Sequence, residues 1–286
     1  MTETIFPPNP YLALSGRAII GLVAALVVGA AARRAGSLAR SGFAAAVACG
    51  TLSAIGGWRW AFALILYFVA ASALSRVAGA EAAERTSGVV AKGGDRDWAQ
   101  VIANGGVYSL AAALTAIPGA PQFLAWGAMG GLAAASADSW ATEIGVWLGG
   151  RPRSIIYRTY VRTGESGGVT RAGTLGAVAG AAWVALVAAA LEFSHGLALA
   201  SFVAGFGGSV ADSVFGATIQ ERRWCDECGE PTERAVHLCG SATRRVGGIG
   251  GLDNDVINLF STVTGFVLGV IIFYFAGKSG YWGAID

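Results

Sequence analysis

Phe123 to Leu148 reads FLAWGAMGGLAAASADSWATEIGVWL. The run is long enough for a helix to cross the roughly 20-residue hydrocarbon depth of a bilayer. Yet it carries two carboxylates, Asp138 and Glu143, and several hydroxyls, which are costly guests among apolar neighbours. Whole-chain composition decides the setting. A chain of 286 residues with 54% hydrophobic and 13% charged residues and 43 glycines, and a mean hydropathy of +0.56, is too apolar and too weakly charged for an ordinary soluble domain. The pattern predicts an all-α, polytopic membrane helix bundle.

Outward from this run, apolar segments of spanning length fall near 11–31, 39–56, 58–76, 98–117, 121–148, 171–193, 195–218 and 254–276, about eight spans in a single integral-membrane domain, 1–286. The prolines of FPPNP suit entry into the first helix, and no small-residue cleavage site with a basic leader follows. Met1–Pro10 is therefore expected to stay in the mature chain. Positive charge is one-sided. Arg33, Arg34 and Arg40, then Arg76, Arg85, Lys92 and Arg96, then Arg151, Arg153, Arg158, Arg162 and Arg171, then Arg222, Arg223, Arg234, Arg244 and Arg245 follow the first, third, fifth and seventh spans. The positive-inside rule places those long loops in the cytoplasm and both termini outside. Topology accounts for these arginines, and for the net charge of +2, without a nucleic-acid partner. Some in RPRSIIYRTYVRTG could also meet lipid or substrate phosphates.

Polar groups inside the spans gather toward the same end. The fourth span offers Gln100 and Asn104, the fifth Asp138, Ser139, Thr142 and Glu143, the seventh Asp212, Ser213 and Gln220, and the eighth Asp253, Asn254, Asp255 and Asn258. On a helix Asp138 and Thr142 share a face, as do Ser139 and Glu143. One reading is a shared polar site, whose carboxylate and amide oxygens suit a hard divalent cation such as Mg²⁺. The other is independent caps and interhelical hydrogen bonds, with Asp253 a helix cap.

The loops supply the complementary chemistry. RTGESGGVTRAGT, Arg162–Thr174, presents backbone N–H groups with Ser166 and Thr170 at a helix amino terminus, an anion-binding arrangement, although it lacks the Lys-Ser/Thr ending of a Walker A sequence. VVAKGGDRDWAQVIANGG sets Lys92 and Arg96 ahead of the fourth span. ADSWATEIG in the fifth span is echoed by ADSVFGATI in the seventh, and SGGVTRAGTLG is weakly echoed by GGIGGLDNDVINLF. This suggests parallel repeats of helical hairpins.

CDECGEPTERAVHLCG gives Cys225, Cys228, His237 and Cys239 within the 221–252 loop. The spacing is a complete Cys₃His set for a closed, structural Zn²⁺ knuckle, with redox-active or free thiols the other reading; a reducing cytosol disfavours disulfides. Cys49 reads as a small buried apolar residue.

KGGDRDWAQVIANGG, ADSWATEIG, SGGVTRAGT, GGSVADSVFGATIQ and GGIGGLDNDVINLFST, taken in order, resemble the integral-membrane family labelled domain of unknown function 92, which includes animal transmembrane protein 19 and the plant phytyl-phosphate kinase. The likeness is clearest from about residue 90 onward. It implies transfer of a phosphoryl group from a nucleoside triphosphate, CTP first, to an isoprenoid monophosphate such as phytyl or geranylgeranyl phosphate, which reaches the site from the membrane lipids. Under that resemblance Asp138, Glu143, Asp212 and Asp255 hold Mg²⁺ or orient its waters, supported by Asn254, Asn258 and Asn104. Ser166, Gly167, Gly168 and Thr170 bind phosphate, and Lys92, Arg96 and Arg162 offset its charge. The acceptor is already ionised, so no general base is assigned. Two other classes stay open on the residues alone: a transporter of a small or anionic solute, for which repeats and intramembrane carboxylates also serve, and a CDP-lipid-type transferase using the same metal site. The acidic groups sit toward the cytoplasmic ends and the outer half offers almost no polar path, which favours an enzyme open to one side.

Overall fold

Asp97 shows how local chemistry starts a helix here. Its Oδ1 accepts from the Gln100 backbone N–H at 3.0 Å, and the Gln100 side-chain oxygen accepts from the Asp97 N–H at 3.1 Å. This reciprocal capping box satisfies two orphan donors and stabilises the helix start by about 1 kcal/mol. Thr170 and Ser194 cap two further helices in the simpler way, each hydroxyl accepting from the backbone N–H three residues on.

The computed structural model describes residues 10–278, among which eight helices form. They are α1 (Pro10–Arg34), α2 (Arg40–Gly56), α3 (Trp58–Thr86), α4 (Trp98–Leu114), α5 (Phe123–Trp147), α6 (Arg171–Ala190), α7 (His195–Thr218) and α8 (Asn254–Lys278). The readings made for Met1–Asn9 and for the carboxyl-terminal end fall outside the described residues. Five helices, α1, α3, α6, α7 and α8, are long and apolar enough to cross a membrane. The other three have identifiable reasons for falling short. Both α2 and α4 have 17 residues, about 25 Å at the α-helical rise, against a hydrocarbon core of about 30 Å. In α5 the glycines and polar residues dilute the apolar run.

That dilution matches where α5 lies. It packs against α3, α4, α6, α7 and α8, and its turns from Trp126 to Ala137 are buried, so its surroundings are protein. Small residues permit this. A methyl group on Gly265 of α8 would meet the Gly130 carbonyl oxygen of α5 at 2.5 Å, so the two backbones approach as only small residues allow. By contrast α1 packs chiefly on α2 and leaves Ile19, Val23 and Val27 exposed.

Long loops close one end of the bundle. Helix α3 breaks at Gly79 (φ 57, ψ −150) and continues to Thr86, beyond the expected limit of 76, because EAAERT is rich in good helix formers. Leu38 and Arg96 bridge the first two long loops. The 149–170 loop folds into a two-residue antiparallel pair, β1 (Arg153–Ser154) with β2 (Gly168–Val169). The 219–253 loop forms a three-stranded antiparallel sheet of β3 (Arg222–Cys225), β4 (Glu230–Thr232) and β5 (Arg244–Gly247), with β3 central. These strands are short enough that no apolar periodicity announces them.

Candidate functional site

The two ADS triplets meet. Ala133 and Ala134 of α5 abut Gly205 and Gly208 of α7, where added methyl groups would come within 2.5 and 2.4 Å of the alanine Cβ atoms. About one turn farther along, the half-buried Asp138 and Asp212 side chains lie against each other. Asp212 Oδ2 is buried without a hydrogen-bond partner among the described residues. Two ionised carboxylates about 4 Å apart would repel by about 4 kcal/mol at an effective dielectric of 20. The pair therefore calls for positive charge, a proton or a cation, and an unpartnered buried oxygen fits a ligand position.

A polar seam runs from this pair to α3. Tyr67 lies close to Ser139 and near both Asp138 and Arg96. Arg96, from the loop preceding α4, donates through Nη1 to Ser72 Oγ at 3.1 Å and through Nη2 to Ser75 Oγ at 3.5 Å, with its guanidinium over the Phe68 ring. Ser75 Oγ in turn donates to Glu143 Oε1. So Glu143 and Arg96 join through a serine hydroxyl, and Arg96 forms no ion pair with a carboxylate among the described residues.

Asp255 takes a different partner. Lys92 Nζ contacts its Oδ2 and lies 2.7 Å from Asp97 Oδ2. Asp255 is 8% exposed in this triad. Burial works against the charged form of Asp97, but the Gln100 N–H and the Lys92 ammonium outweigh it and hold its carboxyl below the usual range. For Lys92, burial is likewise outweighed by hydrogen bonds to Asp255 and Asp97, so the ammonium is held above its usual value. Of the acidic residues read from the sequence, then, Asp138 and Asp212 come together, Glu143 joins through Ser75, and Asp255 is neutralised at the loop end. Asn254 is exposed and Asn258 half-buried on α8, and Asn104 Nδ2 donates to the Gln100 carbonyl at 2.9 Å.

Glu233, which the sequence pattern passes over, organises the loops. Its Oε1 accepts from Ser166 Oγ at 3.0 Å and Gln220 Nε2 at 2.8 Å, and its Oε2 from the Ala91 N–H at 3.2 Å. Burial pushes its carboxyl up, against those three donors, which favour the charged form. A cleft of about 790 Å³, part of it open, lies between Ser166, Gln220, Arg222, Trp224 and Glu233. Gly167 (φ 76) packs where a methyl group would meet the Ala217 backbone nitrogen at 2.5 Å, so the 162–174 loop lies directly on α7 only with glycine there. Gly168 follows in β2. Thr170 spends its hydroxyl on capping α6, and Arg162 pairs with Glu230 at 2.9 Å. Ser166 and Arg162 thus already have protein partners.

Cys225, Cys228, His237 and Cys239 bring one donor atom each within 4.8 Å of one another and could hold a metal ion. Cys225 Sγ lies 3.7 Å and His237 Nδ1 3.4 Å from Cys239 Sγ. Sequence spacing alone had found this cluster. Tyr67, Ser72, Ser75 and Glu233 carried no such signal; Asp97 did, as the first residue of the D-x-x-Q capping box.

A bundle of long apolar helices, with the half-buried Asp138 and Asp212 paired between two central ones and long loops over one end, has the architecture of an integral membrane protein. The chain belongs to the family described as Integral membrane protein DUF92, which it matches over residues 23–266. It is similar to Protein PGR of Arabidopsis thaliana, 29% identical over 264 residues covering 83% of this chain and 90% of that protein. It is also similar to an uncharacterized membrane protein of Methanocaldococcus jannaschii, 27% identical over 147 residues covering 51% of this chain and 50% of that one. No solved structure matches.

Proposed function

We propose that this protein is a membrane prenyl-phosphate kinase, passing a phosphoryl group from a nucleoside triphosphate, CTP first, to an isoprenoid monophosphate such as phytyl or geranylgeranyl phosphate. The observation that carries the reading is the Asp138–Asp212 pair, with Asp212 Oδ2 left without a partner. A hard divalent cation suits that donor set. Asp138 and Asp212 would hold Mg²⁺, which would supply positive charge to offset that of the phosphates.

The remaining roles fall to the chain itself. Arg96, with hydroxyl partners and no carboxylate, offers its guanidinium fork to phosphate. Ser139 and Tyr67 align the pair against α3. The acceptor is an ionised phosphate, so no side chain removes a proton. Lys92 holds the start of α8 beside the site through Asp255, and Glu233 holds Ser166 and the α3–α4 loop together. The arginine-rich loops support a cytoplasmic position for this end of the bundle, where nucleotide would arrive, with both termini outside.

The Cys₃His cluster is proposed to hold a structural Zn²⁺. Tetrahedral zinc with Zn–S near 2.3 Å sets sulfurs about 3.8 Å apart, close to the 3.7 Å between Cys225 and Cys239 Sγ. All four positions are protein donors, which leaves none open for catalysis.

Purified protein incubated with Mg²⁺, geranylgeranyl or phytyl monophosphate and each labelled nucleoside triphosphate should yield labelled prenyl diphosphate. Absence of transfer with every donor, from protein shown by ligand-independent measures to be folded, overturns the kinase reading.

A further inference from the structure

A second cleft lies away from the carboxylates, between α1, α2, α3 and α4; it is part open to the surroundings and encloses a cavity of about 110 Å³. Small and aliphatic side chains line it, among them Ala25, Val28, Cys49, Ala61, Leu64 and Ile65. Among its lining residues the one charged side chain is Arg96, flanked by Gln100 and Asn104. Interiors are normally packed with few voids larger than a water molecule, so an apolar cleft running this far between four helices is a feature to be explained. It arises because α1 packs chiefly on α2 and stands off from α3.

Direction and length follow from the helices. Arg96, Gln100, Leu38 and Ala71 lie toward the loop end, while Gly21, Ala54 and Trp58 lie toward the opposite end. From Trp58 to Ala71 an α-helix rises about 20 Å, two-thirds of a hydrocarbon core of about 30 Å. The cleft is therefore a lane along the membrane normal, apolar for nearly its whole length and cationic at one end. Tyr67 lines it as well, and Tyr67 also lies close to Ser139 beside Asp138. One side chain thus belongs to both the lane and the carboxylate seam.

We infer that this cleft is the binding site for the hydrocarbon chain of a lipid monophosphate, which lies along α1–α4 with its phosphate at Arg96 and facing the Asp138–Asp212 pair. The inference rests on the kinase reading for the isoprenoid nature of the chain. The cleft supplies the shared chemistry, an apolar chain ending in a phosphate. Chain length is then read at the far end of the lane, which Trp58 and Ala61 line.

The test uses the full-length protein in nanodiscs, without nucleotide, and a geranylgeranyl monophosphate carrying a diazirine at the end of its tail. After illumination, adducts mapped by mass spectrometry should fall on the far end, around Gly21–Ala25, Ala54 and Trp58–Ala61. Unlabelled geranylgeranyl monophosphate should suppress them, and geranylgeraniol should do so about tenfold less well, a difference lost in Arg96→Gln. Ala61→Phe should lower labelling and shift competition toward the shorter geranyl monophosphate by about tenfold or more. Adducts scattered over the exposed surfaces of α6 and α8, or unaffected by Ala61→Phe in a protein that melts like the parent, overturn the site. Equal competition by geranylgeraniol overturns the role of Arg96. Suppression by lysophosphatidic acid but not by geranylgeranyl monophosphate assigns the lane to a phospholipid chain and overturns the isoprenoid occupant. Because no nucleotide is present, labelling in the lane stands or falls separately from phosphoryl transfer: the lane labelled without transfer removes the kinase, and transfer without lane labelling removes the lane.

Discussion

The helical interior and the loop end treat charge in opposite ways. Between α5 and α7, Asp138 and Asp212 face each other and one carboxylate oxygen has no partner among the described residues. At the loop end Lys92 answers Asp97 and Asp255, Arg162 answers Glu230, Arg223 answers Glu221 and three donors answer Glu233. Groups that fold the protein are matched within it, because an unmatched buried charge costs several kcal/mol. The Asp138–Asp212 pair is the exception to that matching, since Asp212 Oδ2 has no partner among the described residues.

The largest expected effect lies in the interior. Asp138→Asn and Asp212→Asn should each lower Mg²⁺-dependent prenyl-phosphate transfer by at least about 100-fold, the scale of losing one key electrostatic group. Melting without added metal should hold steady or rise, because a neutral amide ends the repulsion within the pair. Radiolabelled transfer and differential scanning fluorimetry measure the two. Near-normal transfer in both variants would sink the paired site, and marked destabilisation would erase the contrast with the loop end.

Next is the Cys₃His cluster. Protein purified without chelator should carry about one zinc per chain, and the Cys225→Ser, Cys228→Ser double variant should carry none, because a closed four-ligand site does not tolerate loss of two thiolates. Elemental analysis reads this directly. Unchanged metal content would place the metal elsewhere.

Lys92→Ala tests the matched side of the comparison. It leaves Asp255, 8% exposed, without its cation, and should destabilise by about 1–3 kcal/mol, discounted because Lys92 itself is 43% exposed. Lys92→Ala with Asp255→Asn should recover much of that loss. A double variant no more stable than the single would break the pairing.

The smallest effect is at Asp97, and it depends on pH. Its folded-state carboxyl is held below the ordinary value of 3.8, so its charge stabilises the fold above that value and ceases to do so as pH falls below it. Asp97→Asn keeps a good N-cap but loses the attraction to Lys92. It should cost less than about 1 kcal/mol near neutrality, and the cost should shrink as pH falls below 3.8 and through the lowered folded-state value. A penalty that persists undiminished in acid would show that capping geometry, rather than charge, is what Asp97 contributes.

Much of this molecule is legible in one dimension. Apolar runs located all eight helices, several nearly to the residue: Arg171 and Asn254 open α6 and α8 where the pattern set them. The Cys₃His spacing located the cluster that could hold a metal ion, because its donors are near neighbours in the chain and a short sheet suffices to gather them. The ADS echo pointed to Asp138 and Asp212 as a pair.

Tertiary packing decided the rest. The sequence presented Asp138, Asp212 and Asp255 as equals, and helix packing separated them: α5 and α7 meet through Gly205 and Gly208, whereas the start of α8 lies beside Lys92. Tyr67 and Glu233 became visible as site residues only once α3 met α5 and the loops met one another. The cleft along α1–α4 exists because α1 leans on α2 and stands off from α3. Hydrophobic periodicity is a property of a few turns and can be read locally. Which carboxylate finds a cation, and which is left without one, depends on contacts between segments far apart in the chain, and those are settled only when the helices pack.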